Sequence, residues 1–152
     1  MNKILKLIIS IIIPFIASAV GGVFTASSVS TWYVTLVKPS FNPPSWIFGP
    51  IWTILYFFMG ISFYLVWTRR LETPALMAFV TQLFLNVMWS IIFFGLKAPF
   101  YAFIEIIFLW FAILITIIYF YRINKLSAYL LIPYILWVSF AAILNFSIFL
   151  LN

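Results

Sequence analysis

The chain contains no cysteine, no histidine and no aspartate, and its only acids are Glu72 and Glu105. A His/Cys metal site, a Cys–His nucleophile and a Ser–His–Asp triad are therefore excluded. A pair of neighbouring catalytic carboxylates is excluded too, because Glu72 sits in a connector among arginines. A haem would lack its usual His or Cys ligand. The absence of cysteine leaves the redox compartment open.

Charge is equally scarce: 7% of 152 residues, against 67% hydrophobic and a mean hydropathy of +1.26. A water-soluble domain covers itself with roughly a quarter charged residues. This chain cannot, so lipid must be the solvent for most of its exterior. The net charge of +6 does not point to nucleic acid. Lys3, Lys6, Lys38, Arg69, Arg70, Lys97, Arg122 and Lys125 are scattered between apolar runs, as loop charges are in a membrane protein.

Five apolar runs reach the roughly 20 residues needed to cross a hydrocarbon core: Ile4–Phe24, Ser45–Trp67, Ala75–Phe94, Pro99–Tyr121 and Ser127–Leu151. Prolines at run starts suit first-turn positions, where no amide bond is lost. Pro14, Pro50 and Pro133 lie inside runs and are expected to kink them. The first run also has features of a signal peptide, with Lys3 and Lys6 ahead of it and Ala17-Ser18-Ala19 as a cleavage-like triplet. Apolar character continuing through Val20-Gly21-Gly22-Val23-Phe24 favours a span. With five spans, six basic residues share one side and Lys38 and Lys97 the other. That asymmetry predicts a cytoplasmic N-terminus and an outward C-terminus in the cell membrane. The longest connector, Thr25–Pro44, then faces outward and carries Trp32, Tyr33 and Phe41.

Counting about 1.5 Å per residue from the span ends puts Trp52, Asn86, Trp89, Glu105, Ala141 and Asn145 roughly 8–15 Å deep, in one slab below that connector. Trp137 comes out deeper, at about 21 Å. Gln82, Asn86, Trp89 and Phe93 share one helical stripe, Tyr134, Trp137, Ala141 and Asn145 nearly share another, and Trp52 and Tyr56 lie one turn apart. Polar side chains are costly in lipid, so these stripes should face the bundle interior and wall an aromatic cavity. Plainer readings stand beside this one. Trp67 and Trp46 suit interfacial anchoring, and Asn86 and Asn145 suit helix–helix hydrogen bonding. Glu105, a lone acid within a span, is a functional candidate by default, or a neutral hydrogen-bonded structural group.

Longer motifs add to this. Trp32-Tyr33 followed by Leu36-Val37-Lys38-Pro39-Ser40-Phe41-Asn42-Pro43-Pro44-Ser45-Trp46 resembles the first-loop signature of the TspO/MBR family, the translocator proteins and bacterial tryptophan-rich sensory proteins. Phe48-Gly49-Pro50-Ile51-Trp52-Thr53-Ile54-Leu55-Tyr56 continues it. Gln82-Leu83-Phe84-Leu85-Asn86-Val87-Met88-Trp89-Ser90 and Pro133-Tyr134-Ile135-Leu136-Trp137-Val138-Ser139-Phe140-Ala141-Ala142-Ile143-Leu144-Asn145 resemble its third- and fifth-helix motifs. The resemblance implies an all-α, five-transmembrane-helix bundle forming one domain over residues 1–152, often a homodimer, whose long first loop caps a ligand pocket. It implies binding of porphyrins such as protoporphyrin IX and of isoquinoline-carboxamide-type molecules, with porphyrin as ligand or substrate and no cofactor or metal required. Trp52 and Trp137 match the tryptophans linked to light-dependent porphyrin breakdown. Asn86, Trp89, Phe93, Ala141 and Asn145 match pocket positions, with Tyr56 and Tyr134 beside them. Glu105 matches a position where Asp is common. Trp32, Phe41, Pro43 and Trp46 belong to the lid. Porphyrin sensing in oxidative stress, photo-oxidative degradation and transport of an amphiphile are the functions this leaves open. No Lys or Arg follows Lys125, so the basic end of the animal cholesterol-recognition pattern is missing.

Overall fold

A computed structural model describes all 152 residues, and every regular element is helical. The helices are α1 (Lys3–Ser28), α2 (Phe48–Arg69), α3 (Thr73–Ser90), α4 (Pro99–Ile123), α5 (Lys125–Leu130) and α6 (Ile132–Leu151). A π-helical turn, Ile91–Gly95, prolongs α3. Together these make five spans, each long and apolar enough to cross a membrane, with α5 and α6 forming the fifth.

The helix ends follow local chemistry. Asn2 caps α1 by accepting from Leu5 N–H, and Asn124 caps α5 by accepting from Leu126 and Ser127 N–H. Pro74, Pro99 and Pro133 each occupy the first turn of a helix. Pro133 thus breaks the fifth span rather than bending it, and Leu131 is the junction. Pro50 also falls in the first turn of its helix, since α2 begins at Phe48, so the kink expected there has no cause. Pro14 lies within the continuous α1, which runs through Ala17-Ser18-Ala19 to Ser28 and packs as the first span.

Round the bundle the order is α1, α2, fifth span, α4, α3. Lipid supplies no hydrophobic drive between helices, so close packing has to. The buried face of α1 is made of Ser10, Pro14, Gly21 and Ser28, while its leucines, isoleucines and valines point largely outward. Against it, α2 offers Gly60, where an added Cβ would lie 2.8 Å from the Ile11 Cα. Toward the N-terminal end, Phe63, Phe79 and Phe120 stack from α2 through α3 to α4, with centroids 4.7 and 5.8 Å apart. The fifth span meets α2 along α5 but separates from it beside α6. Ser62 donates to the Ser127 carbonyl at 2.6 Å in the α2–α5 contact.

The backbone contact at Gly60 cannot yield as a side chain would. Gly60→Ala should therefore lower the melting temperature in detergent, at a cost of about 1–3 kcal/mol. Gly49→Ala, with nothing within 4 Å of its new Cβ, should leave it nearly unchanged.

Candidate functional site

The half of the bundle holding the long connector is tied together by two polar layers. In the lower, Tyr56 of α2 donates to Asn86 Oδ1 of α3. Asn86 Nδ2 donates to the Tyr134 hydroxyl at 2.9 Å, and that hydroxyl donates to Gln82 Oε1 at 2.8 Å. In the upper, Trp89 Nε1 donates to Asn145 Oδ1 at 3.0 Å, and Asn145 Nδ2 donates to the Pro99 carbonyl at 2.8 Å. Tyr134 and Asn145 lie on one helix, three turns or roughly 16 Å apart. The single slab expected from counting residues therefore fails for Trp52, which lies beside Tyr134 and not beside Asn145. The spans do not all start at one height, so depth counted from each helix end is not depth in the bundle.

The connector explains the offset. It does not lie flat across the bundle but descends the flank of α6. Asn152 accepts from Val37 N–H at 3.0 Å and donates to the Val37 carbonyl at 2.9 Å. Further along, the Phe41 ring meets Phe140 at 6.3 Å, and Phe48, at the start of α2, meets Trp137 at 5.9 Å. From Asn152 to Trp137 is about four turns of helix. Trp32 and Tyr33 pack on Phe93 at 5.6 and 6.3 Å, and Tyr33 on Phe94 at 5.7 Å. The π-helical turn brings the consecutive Phe93 and Phe94 both into this cluster. Tyr33 donates to Asn42 Oδ1 at 3.2 Å. Burial pushes its phenol above the usual range, and the bond to Asn42 pulls part of the way back.

Trp52 and Trp137 are half-buried. Trp52 packs on Tyr56 at 5.5 Å and meets Tyr134 edge-on at 6.2 Å, while Trp137 lies 5.4 Å from Phe140. Beside them a groove of about 370 Å³ runs between α2 and α6, lined by Ile51, Ile54, Leu55, Pro133, Leu136 and Trp137. No hydrogen bond crosses that seam, whereas α3 is bonded to both α2 and α6. This groove borders Trp137 and not Asn86, Trp89, Phe93 or Asn145, whose side chains are engaged with one another or with neighbouring helices. Ala141 is half-buried on α6. Pro43 lies in the descending connector, and Trp46 is 72% exposed, outside the cluster and suited to a bilayer interface.

Glu105 is buried at 8% exposure on the inner face of α4, and neither carboxyl oxygen has a hydrogen-bond partner. Gln82 Nε2, on α3, is likewise unpartnered. Residue types alone had not singled out Phe48, Phe140, Trp110 or Asn152. Phe48 is one turn before Trp52 and Phe140 one turn after Trp137, so stripe periodicity would have found both. Trp110 donates to Ser139 Oγ at 2.8 Å and joins α4 to α6. Asn152 bonds 115 residues back along the chain, which no local pattern signals.

These features define a multi-pass helical membrane protein with a tryptophan-rich cluster beneath a clamped first connector. Known proteins agree. The family model described as the TspO/MBR family matches residues 10–151, and the chain belongs to that family. It is 47% identical to the tryptophan-rich protein TspO of Archaeoglobus fulgidus over 152 residues, 99% of each chain. It is 36% identical to the human translocator protein over 141 residues, covering 89% of this chain and 83% of that one. It is 34% identical over 121 residues to the tryptophan-rich sensory protein of Cereibacter sphaeroides, covering 80% and 77%.

Asn86 serves Tyr56 and Tyr134 together, so the two bonds should be coupled. Asn86→Ala should cost about 1 kcal/mol in a membrane-protein unfolding assay. Adding Tyr134→Phe should cost less than the sum of the single changes.

Proposed function

We propose that this protein binds a tetrapyrrole such as protoporphyrin IX in the connector-side half of the bundle and acts in porphyrin and oxidative-stress sensing. The observation that carries this reading is the aromatic series Phe41–Phe140–Trp137–Phe48, adjoined by Trp52 and Tyr134 and bordered by the α2–α6 groove. A flat macrocycle gains from stacking on indole and phenyl faces, and from burial at about 25 cal/mol per Å² when it arrives from water. The connector and the Trp137 ring cover the rest of the series beyond the groove, so binding across it requires the connector to lift from α6 and Trp137 to swing. The Asn152–Val37 bonds and the Phe41–Phe140 contact would break first, since they hold the connector from outside.

The anionic propionates of a porphyrin need cations. At this end those are Lys38, whose ammonium lies 4.7 Å from the Tyr33 ring centroid, and Lys97, an exposed residue in the left-handed region at φ 54°. The reading includes a cytoplasmic N-terminus in the cell membrane, from the six basic residues at the opposite end. It also includes a homodimer.

Trp52 and Trp137 favour a second reading, photo-oxidative degradation. Both indoles are oxidisable; Trp137 lines the groove and Trp52 packs one residue along from its Ile51 wall, with the porphyrin as light absorber and dioxygen as oxidant. A transporter of porphyrin or another amphiphile is the alternative favoured by the lipid-facing opening of the groove.

Titration of purified protein with protoporphyrin IX, followed by tryptophan quenching in darkness, should show saturable binding; its absence would overturn the tetrapyrrole reading. Lys38→Gln with Lys97→Gln should weaken affinity roughly tenfold, the effect of losing two peripheral charge contacts. Under illumination with oxygen, degradation predicts new absorption bands that Trp52→Phe and Trp137→Phe suppress, and wild-type bleaching by both variants would remove their catalytic role. Transport instead predicts porphyrin flux into proteoliposomes in the dark.

A further inference from the structure

The opposite end of the bundle carries a second recess, unrelated to the tryptophan cluster and independent of the tetrapyrrole reading. Beside the junction where Pro133 breaks the fifth span, α5 and α6 border a groove of about 270 Å³ against α4. Ile117, Ile118, Ala128 and Ile132 form its apolar part. Tyr121 and Tyr129 stand on its two sides in edge-to-face contact, their centroids 6.2 Å apart. Arg122 is the only charged residue in its lining. Lys125 adds a second cation at the same place, with its ammonium 5.6 Å from the Tyr121 ring centroid.

These cations lack protein counter-charges. The chain's one ion pair is Arg70–Glu72 at 3.1 Å, and its other acid, Glu105, is buried in the bundle. Arg122 and Lys125 are instead held beside tyrosine rings, Arg122 at 5.8 Å from Tyr119. The turn between them is rigid, because Asn124 caps α5 and its carbonyl accepts from Ser127 Oγ at 2.6 Å. Two unpaired cations thus stand, on a rigid turn, at the polar end of an apolar furrow on a lipid-facing surface.

We infer that this groove is a binding site for an anionic phospholipid of the leaflet at the N-terminal end of the bundle. One acyl chain lies between Ile118 and Ile132, and the phosphate accepts from Arg122 and Lys125, with the tyrosine hydroxyls at headgroup level. Charge complementarity selects this occupant. A zwitterionic lipid would bring its own cation to a place already holding two, and an uncharged sterol would leave both unmatched. Polybasic attraction alone does not need a groove, and annular packing alone does not need two oriented cations.

Native mass spectrometry of the full chain, with phosphatidylglycerol and phosphatidylcholine of identical acyl chains, tests the site. One phosphatidylglycerol should be retained preferentially over phosphatidylcholine. Arg122→Gln with Lys125→Gln should lower that preference about tenfold or more. Lys3→Gln with Lys6→Gln removes equal charge from the same end away from the groove and should leave the preference intact. Ile118→Trp, at a 44% exposed position, fills the furrow while keeping both cations and should abolish retention; Ile132→Trp serves if that variant fails to fold. Equal retention of the two lipids, equal loss from the Lys3/Lys6 variant, or full retention in the filled groove would each overturn the proposal.

Discussion

A polar group placed in hydrocarbon must find its partner within the protein, and the arrangement of this bundle follows from that constraint. Each span carries few polar side chains, and most of them are spent on a neighbouring helix or on their own backbone. Asn86 and Asn145 are the pivots. Asn86 joins α2, α3 and α6, while Asn145 joins α3, α6 and α4. Between α2 and α6 no such bond exists, and there the helices part.

That uneven distribution gives the protein a tied side and an untied side. On the tied side α3 and α4 form a fixed wall around Phe93, Trp89 and the unpartnered Glu105 carboxyl. On the untied side Phe48 meets Trp137, and Trp52 meets Tyr56 and Tyr134, only through ring contacts, worth about 0.5–1.5 kcal/mol each beyond their burial. Rearranging the Phe48, Trp52 and Trp137 rings breaks no hydrogen bond in the membrane interior. The connector is held in a similar way, by one asparagine clamp and a few rings. A chain built like this leaves one side free to rearrange while the other stays tied.

Much of this was legible in the sequence. Span number, the starts of α3 and α4 and the inward stripe of Gln82, Asn86, Trp89 and Phe93 followed from apolar run length, proline placement and helical periodicity. The relative heights of the helices did not. Nothing local states that α2 begins about four turns below the end of α6, because that offset comes from the path of the connector and the clamp by Asn152. The same gap in local information made Pro50 look like a kink and Pro133 a bend, when one opens a helix and the other divides a span. Asparagines at helical spacing cannot reveal whether they point at open space or at each other. Here each amide has two protein partners, and tyrosine and tryptophan supply most of them.

The central claim is that the connector and the untied seam open together to receive a ligand while the tied wall stays in place. The chain lacks cysteine, so spin labels can be attached at introduced cysteines alone. Ser40 in the connector and Ile143 on α6 are both exposed. The distance between labels at these two positions, measured by pulsed electron resonance in nanodiscs, should lengthen and broaden when protoporphyrin IX is added to saturation. An unchanged distance distribution with porphyrin demonstrably bound would contradict the account.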